Sequence, residues 1–394
     1  MTVIAEAHRK KTLRILYGAM FFFSFHCYIF LYIQSDFISR FIPESALVLI
    51  YGVGAIISLA TLFAVPKIFG HISDRRFTVW LIIIEALLCF VLAFSNFAPL
   101  IIIAFILQQA LIPVLSFALD VLIENSSERS DTGLIRGLAF TASNIALVAS
   151  PLLAAYIGSK FGFGSIFYIS NIFLIPFLIA TLSLRRKMHE PTYHTQSIVV
   201  TIKNLFKNPS VRHRDIQLIF MVNLTLQIFY TWMVIYSPLY LLHQGFNWDQ
   251  IGLIFSIMLL PFLIFELPLG AFADKYFGEK EFMIVGFIVL AISTISLSFI
   301  HSPSIAIWAF ALFATRIGAS FIEIMSETYF FKQVGHMDAP VISLFRFTRP
   351  ISLLIAPIMA AFTIMLTGET FAFIILGLLM LFGLRFVYPL VDTL

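Results

Sequence analysis

The sequence predicts an all-α polytopic membrane protein, with twelve spans arranged as two similar six-helix bundles. Three observations predict it: apolar runs of bilayer-crossing length fill the chain, one polar segment divides them six and six, and a charged turn occurs once in each half. The two turns are Gly70-His71-Ile72-Ser73-Asp74-Arg75-Arg76 and Gly270-Ala271-Phe272-Ala273-Asp274-Lys275, 200 residues apart in a chain of 394.

Composition sets the class. A chain of 44.6 kDa that is 60% hydrophobic and 12% charged has too little polar surface to cover a soluble globule. The net charge of +4 and pI near 9.0 do not indicate nucleic acid, because the basic residues are scattered through short loops and form no continuous face. Cys27 and Cys89 lie inside apolar runs and read as small hydrophobes, with no disulfide framework.

A span needs about 20 apolar residues. Such runs lie near 13–37, 44–66, 77–97, 99–123, 134–159 and 164–184, then near 215–242, 248–272, 281–300, 304–330, 340–366 and 370–391. The first follows a basic stretch (His8, Arg9, Lys10, Lys11, Arg14) without a small-residue cleavage site, so it reads as a retained span. The expected organisation is an N-terminal bundle over 1–184, a linker over 185–213 and a C-terminal bundle over 214–394. Within the linker, Ile198, Val199, Ile202, Leu205 and Phe206 recur at helical spacing opposite Lys203 and Lys207, which fits either a surface-lying helix or an ordinary solvated one.

Lys and Arg concentrate in cytoplasmic loops. With both termini inside, all of the 25 Lys and Arg except Arg40, Lys160 and Arg316 fall on the cytoplasmic side. The expected location is therefore a multi-pass plasma (inner) membrane with cytoplasmic termini.

Two further landmarks share the repeat offset. Asp120 and Glu124, four apart near the end of the fourth span, match Glu323 and Glu327 in the tenth. Ala149-Ser150-Pro151-Leu152-Leu153-Ala154-Ala155 in the fifth span matches Ile355-Ala356-Pro357-Ile358-Met359-Ala360-Ala361 in the eleventh. Because each half holds an even number of spans, the halves run in the same direction as parallel repeats.

On these residues the chain resembles the major facilitator superfamily of secondary transporters, across essentially its full length. The charged turns are similar to that family's loop signature between spans two and three and between eight and nine. The first copy departs from it at Phe77 and Thr78, and the second carries an inserted residue before Lys280. The Pro151 segment is similar to the family's antiporter motif, with Ala and Ser where glycines are usual.

The resemblance implies a conformational latch formed by Gly70, Asp74, Arg75, Arg76, Gly270, Asp274 and Lys275 at the cytoplasmic rim. Physically, an Asp beside a basic residue can pair with opposite charges or a helix N-terminus across the rim. Asp120 and Glu124 stand at the same depth as the first turn, with Arg75, Arg76 or Arg136 as natural partners. Glu323 and Glu327 have Lys275, Lys280, Arg346 and Arg349. Unpartnered carboxylates in that position are costly.

Arg316 lies about 18 Å into its span at 1.5 Å per residue, where a cation must face a cavity or a partner. It reads as a substrate contact or as half of a structural ion pair. The candidate cavity adds His26, Gln108, Gln109, Asn144, Asn223, Gln227 and Tyr230, each of which singly also fits an inter-helix hydrogen bond. His26, Glu85 and Glu266 are the candidates for proton coupling.

Enzyme signatures are missing: there is no phosphate-cradling Gly-rich loop with Lys-Ser/Thr, no His-Glu-x-x-His and no Gly-x-Ser-x-Gly. No cofactor and no metal is expected, nor any nucleic-acid partner; the expected partners are a small-molecule substrate, protons and membrane lipid, on a monomer. The leading expectation is a secondary transporter working by alternating access, as proton-coupled efflux. Import of a polar solute or a lipid-like amphiphile is the alternative in the same fold. A polytopic membrane enzyme is the alternative from another class.

Overall fold

The computed structural model describes residues 3–69, 72–124, 132–184, 200, 203, 210–273, 278–333 and 339–391. Every regular element among them is helical, and twelve helical segments are long and apolar enough to cross a membrane. The linker helix expected around 198–207 lies outside the described residues apart from two isolated positions.

The chain clusters into two compact units, residues 1–33 with 53–195 and residues 34–52 with 196–394. The first unit holds α1 (Val3–Ile29), most of α3 (Leu47–Phe69), α4 (Asp74–Phe94), α5 (Ala98–Glu124), α6 (Thr132–Phe161) and α7 (Phe163–Ser183). There α1 packs on α6 and α7, and α4 on α5 and α7.

The second unit holds α2 (Gln34–Ser39), α8 (Val211–His243), α9 (Trp248–Ala273), α10 (Glu279–Leu297), α11 (Ile305–Gln333), α12 (Ala339–Arg346), α13 (Thr348–Thr367) and α14 (Glu369–Val387). In it α11 packs on α9 and α10, α14 on α10, and α8 on α13.

Two expected spans are broken. The first ends at Ile29, and the chain turns through i to i+3 bonds from Leu31 to Tyr28 and from Ile33 to Phe30 before α2 begins. The polar residues beyond the break take partners in the second unit: Ser35 Oγ lies 3.2 Å from Tyr51 Oη, and Trp248 Nε1 donates to Asp36 at 3.2 Å. The eleventh span divides at Phe347 into α12 and α13, because Pro350 has no N–H to continue the helical ladder.

Repeat symmetry reaches the backbone. Gly162, after the fifth span, and Gly368, after the eleventh, have φ of 79° and 81°, and their N–H groups donate to the carbonyls of Gly158 and Ile364. That left-handed stop admits glycine at little cost. Close packing appears between α10 and α11, where a Cβ placed on Gly318 would lie 2.5 Å from the Gly286 carbonyl oxygen.

Helix α4 shows how the bundle inverts soluble logic. Trp80, Leu87, Phe90 and Phe94 form an exposed apolar stripe, 55–62% accessible, suited to lipid. Phe77, Leu81, Glu85, Cys89 and Leu92 face the interior.

Candidate functional site

In the first unit, His26 from α1 and Glu85 from α4 meet in a fully buried cluster. His26 Nδ1 lies 2.7 Å from Ser170 Oγ and 3.3 Å from the Ser170 carbonyl oxygen, while Ser170 Oγ donates to the His26 carbonyl at 2.9 Å. A carbonyl can only accept, so Nδ1 carries hydrogen. The other ring nitrogen, Nε2, is 3.1 Å from Glu85 Oε1. Two bare lone pairs at that distance repel, so a proton lies between them. The pair is an imidazole facing a carboxylic acid or an imidazolium facing a carboxylate, and both forms are electrically neutral overall.

Gln108 from α5 donates to Glu85 Oε1 at 3.0 Å and to Cys89 Sγ at 3.0 Å, and Cys89 Sγ donates to Glu85 Oε1 at 3.6 Å. Among the described residues Glu85 Oε2 and Gln108 Oε1 are buried without a hydrogen-bond partner. Phe23 and Phe30 flank the imidazole at ring-centroid distances of 6.5 and 5.5 Å, which keeps the surroundings apolar. Reading Cys89 as a plain small hydrophobe is therefore corrected: its sulfur joins the polar cluster through the i, i+4 spacing to Glu85. Nearby, Ser143 Oγ accepts from Ser24 Oγ at 2.9 Å and lies 3.1 Å from Tyr28 Oη. Gln109 and Asn144 are buried.

In the second unit, α8 and α11 carry the polar centre. Arg316 is the twelfth residue of the 29-residue α11 and 1% exposed. Its Cζ lies 5.0 Å from the Phe229 ring centroid and 5.9 Å from that of Tyr230. Tyr230 Oη donates to Glu323 Oε2 at 2.6 Å. Thr348 Oγ1 lies 2.7 Å from Asn223 Oδ1, and Thr231 Oγ1 is 2.7 Å from Ser352 Oγ, tying α8 to α13. Gln227 is half-buried.

Among the rim residues, Ser73 precedes α4 in an extended conformation, and Asp74 opens the helix where its charge complements the helix N-terminus. Arg75 donates from Nε to the Thr181 carbonyl at 3.2 Å and from Nη2 to the Leu182 carbonyl, closing the C-terminal end of α7. Arg76 is exposed and Asp120 half-buried. Glu327 pairs with Arg346, Nη1 to Oε1 at 2.7 Å. Lys280 donates instead to the Leu390 carbonyl at 3.1 Å. Gly70, Asp274 and Lys275, together with the side chains of Glu124, Arg136, Glu266 and the Gly270 position, lie outside the described residues.

Several polar contacts were not anticipated from sequence. Asp215, 1% exposed, accepts from Tyr329 Oη at 3.0 Å and from Arg214, and buried Glu279 pairs with Lys332. A cavity of about 260 Å³ is lined by Trp232, Tyr236, Tyr240 and Phe373, together with Glu44 and Glu369. His243 lies between those carboxylates, Nδ1 at 3.0 Å from Glu369 and Nε2 at 3.6 Å from Glu44. These charges sit at helix ends, where sequence reads them only as topology.

Among the described residues, twelve apolar helices in two units, with buried polar clusters inside each, define a polytopic membrane protein. A sequence model described as Major Facilitator Superfamily matches residues 15–250 and 249–393, and the chain belongs to that family of transporters. A curated relative, an uncharacterized MFS-type transporter YxaM of Bacillus subtilis (strain 168), is 34% identical over 106 residues; the match spans 26% of each chain. Among solved structures, the partially occluded inward open conformation of the xylose transporter XylE from E. coli aligns with a TM-score of 0.73 at 13% identity, covering 98% of this chain and 99% of that one. The human organic anion transporter MFSD10 (TETRAN) aligns with a TM-score of 0.66 at 12% identity, covering 96% and 99%. At those identities the likeness is one of fold.

Proposed function

We propose that this protein is a monomeric, proton-coupled secondary transporter that exports a small molecule by alternating access, with the His26–Glu85 pair as its proton carrier. The observation that carries the reading is the hydrogen-bond order at His26: Ser170 fixes the Nδ1–H, leaving one exchangeable proton between Nε2 and Glu85 Oε1 in a fully buried site. Loss of that proton leaves a net negative charge in an apolar site, which is costly until a conformational change or a ligand compensates it. Glu266 is a second proton candidate on α9. The export direction rests on the Pro151 segment and its antiporter resemblance.

The inner location of both termini rests on the Lys and Arg distribution, which also suits a plasma (inner) membrane. In this reading Gly70, Asp74, Arg76, Gly270, Asp274 and Lys275 form the latch at the cytoplasmic rim. Asp120, Glu124 and Arg136 support it in the first half, as Glu323, Glu327 and Arg346 do in the second. Arg75 helps indirectly, by holding the end of α7.

A ligand screen by thermal stabilisation supplies the substrate for the test. Transport of the hit is then measured in voltage-clamped proteoliposomes with and without a pH gradient. Accumulation that follows the pH gradient supports the reading, and accumulation indifferent to it removes proton coupling.

A further inference from the structure

We infer that Arg316 is the docking point for a carboxylate group of the substrate, and so that the protein carries an organic anion with an apolar body. This inference rests on the transporter reading above and adds a substrate class to it.

The guanidinium sits mid-helix and 1% exposed, yet among the described residues its Nη1 has no hydrogen-bond partner. Among the described residues Arg316 makes no ion pair; its contacts are the faces of Phe229 and Tyr230. Aromatic faces attract a cation but replace only part of its lost hydration. The carboxylates on its own helix are engaged elsewhere, Glu323 with the Tyr230 hydroxyl at 2.6 Å and Glu327 with Arg346 at 2.7 Å. Glu323 is also two turns further along α11, roughly 10 Å at 1.5 Å per residue.

A structural ion pair would have placed a carboxylate against this fork. The site instead holds a charge in reserve.

The geometry selects the occupant. A planar guanidinium presents parallel N–H groups that match a carboxylate in bidentate fashion, and its charge excludes organic cations. Tyr230 spends its hydroxyl on Glu323, so it offers its ring to this site, and Phe229 beside it offers another. An apolar body on the anion has these rings to pack against.

The test has a binding arm and a ligand-free arm, both on the full chain in detergent. In the first, thermal unfolding is followed with benzoate, 4-tert-butylbenzoate and decanoate, with the matched neutral amides, and with inorganic phosphate. Wild type is expected to be stabilised by at least one carboxylate and not by its amide. Arg316→Gln should lose that shift, with at least a tenfold weaker apparent affinity, and Arg316→Lys should retain part of it. Stabilisation by phosphate alone would replace the carboxylate assignment with a phosphate one. Equal response to acid and amide, a full shift in Arg316→Gln, or a wild type that no carboxylate stabilises overturns the inference.

In the second arm, Arg316→Gln without ligand should unfold at the same or a higher temperature than wild type, because it removes an uncompensated buried charge. A clear drop would assign Arg316 to structure. Counterflow of the bound carboxylate in vesicles then reports separately on the transporter reading: binding without counterflow fails that reading and leaves the docking assignment standing.

Discussion

Replacing Glu85 by Gln separates the fold of the first unit from its proton chemistry. The amide is isosteric, but all three contacts converge on Oε1: with the amide oxygen in that place Gln108 and Cys89 still donate to it at 3.0 and 3.6 Å, and the single contact to His26 Nε2 is lost. A net hydrogen bond contributes about 1 kcal/mol, so Glu85→Gln should change stability by no more than that. Glu85→Ala removes the acceptor for several buried groups at about 1–3 kcal/mol per orphaned group, and the loss should total roughly 3–6 kcal/mol with the cavity included. At about 2–4 °C per kcal/mol for a unit of this size, the alanine variant should unfold at least 6 °C below wild type while the glutamine variant stays within about 4 °C.

Transport supplies the decisive contrast. A pH difference of one unit is worth about 1.4 kcal/mol per proton, or about tenfold accumulation for one proton exchanged per substrate. Vesicles clamped to zero voltage and loaded with acid buffer should therefore concentrate the ligand about tenfold through wild type. Through Glu85→Gln they should equilibrate it, with counterflow at zero gradient intact. If the glutamine variant still accumulates ligand in proportion to the pH difference, the His26–Glu85 pair is not the carrier.

Three other outcomes can be measured. Ser170→Ala removes the 2.7 Å Oγ acceptor of the His26 Nδ1–H and leaves only the residue-170 carbonyl at 3.3 Å, costs about 1–2 kcal/mol, and shifts the imidazole tautomer balance seen by nitrogen-15 NMR; an unchanged spectrum contradicts the assigned hydrogen-bond order. Gly318→Ala forces the α10 and α11 backbones apart at a 2.5 Å contact, with an expected loss of roughly 3 kcal/mol and a melting temperature about 6–12 °C lower; near-wild-type melting would mean that the helices are not held at this separation. Asp74→Asn combined with Asp274→Asn should shift the ratio of inward- to outward-facing states in spin-label distance measurements, and an unmoved distribution removes the latch.

The number of spans was legible because a bilayer demands about 20 apolar residues, and hydropathy records that demand directly. The break at Phe347 was marked by Pro350, whereas the break after Ile29 carries no proline or glycine and arises from tertiary partners of Ser35 and Asp36. Which residue faces which was harder. Helix α4 is apolar around most of its circumference, so no amphipathic stripe announced that Glu85 points at His26, 59 positions away. The Glu327–Arg346 pair was readable because both charges lie at matched span ends. Ser170 and Cys89 were not, because a lone hydroxyl or thiol in an apolar run has no distinctive spacing.

The two faces of α4 also limit what kind of genetic change this span can absorb. Its outer stripe of Trp80, Leu87, Phe90 and Phe94 needs only to be greasy, so one large apolar residue there can stand in for another. Adding or deleting a single residue before Glu85 rotates everything beyond it by about 100°, at 3.6 residues per turn. That rotation would swing the carboxylate away from His26 and put Ile84, after an insertion, or Ala86, after a deletion, in its place. The span is therefore permissive in spelling and strict in length: drift by substitution can rewrite its surface, while insertions and deletions should be purged.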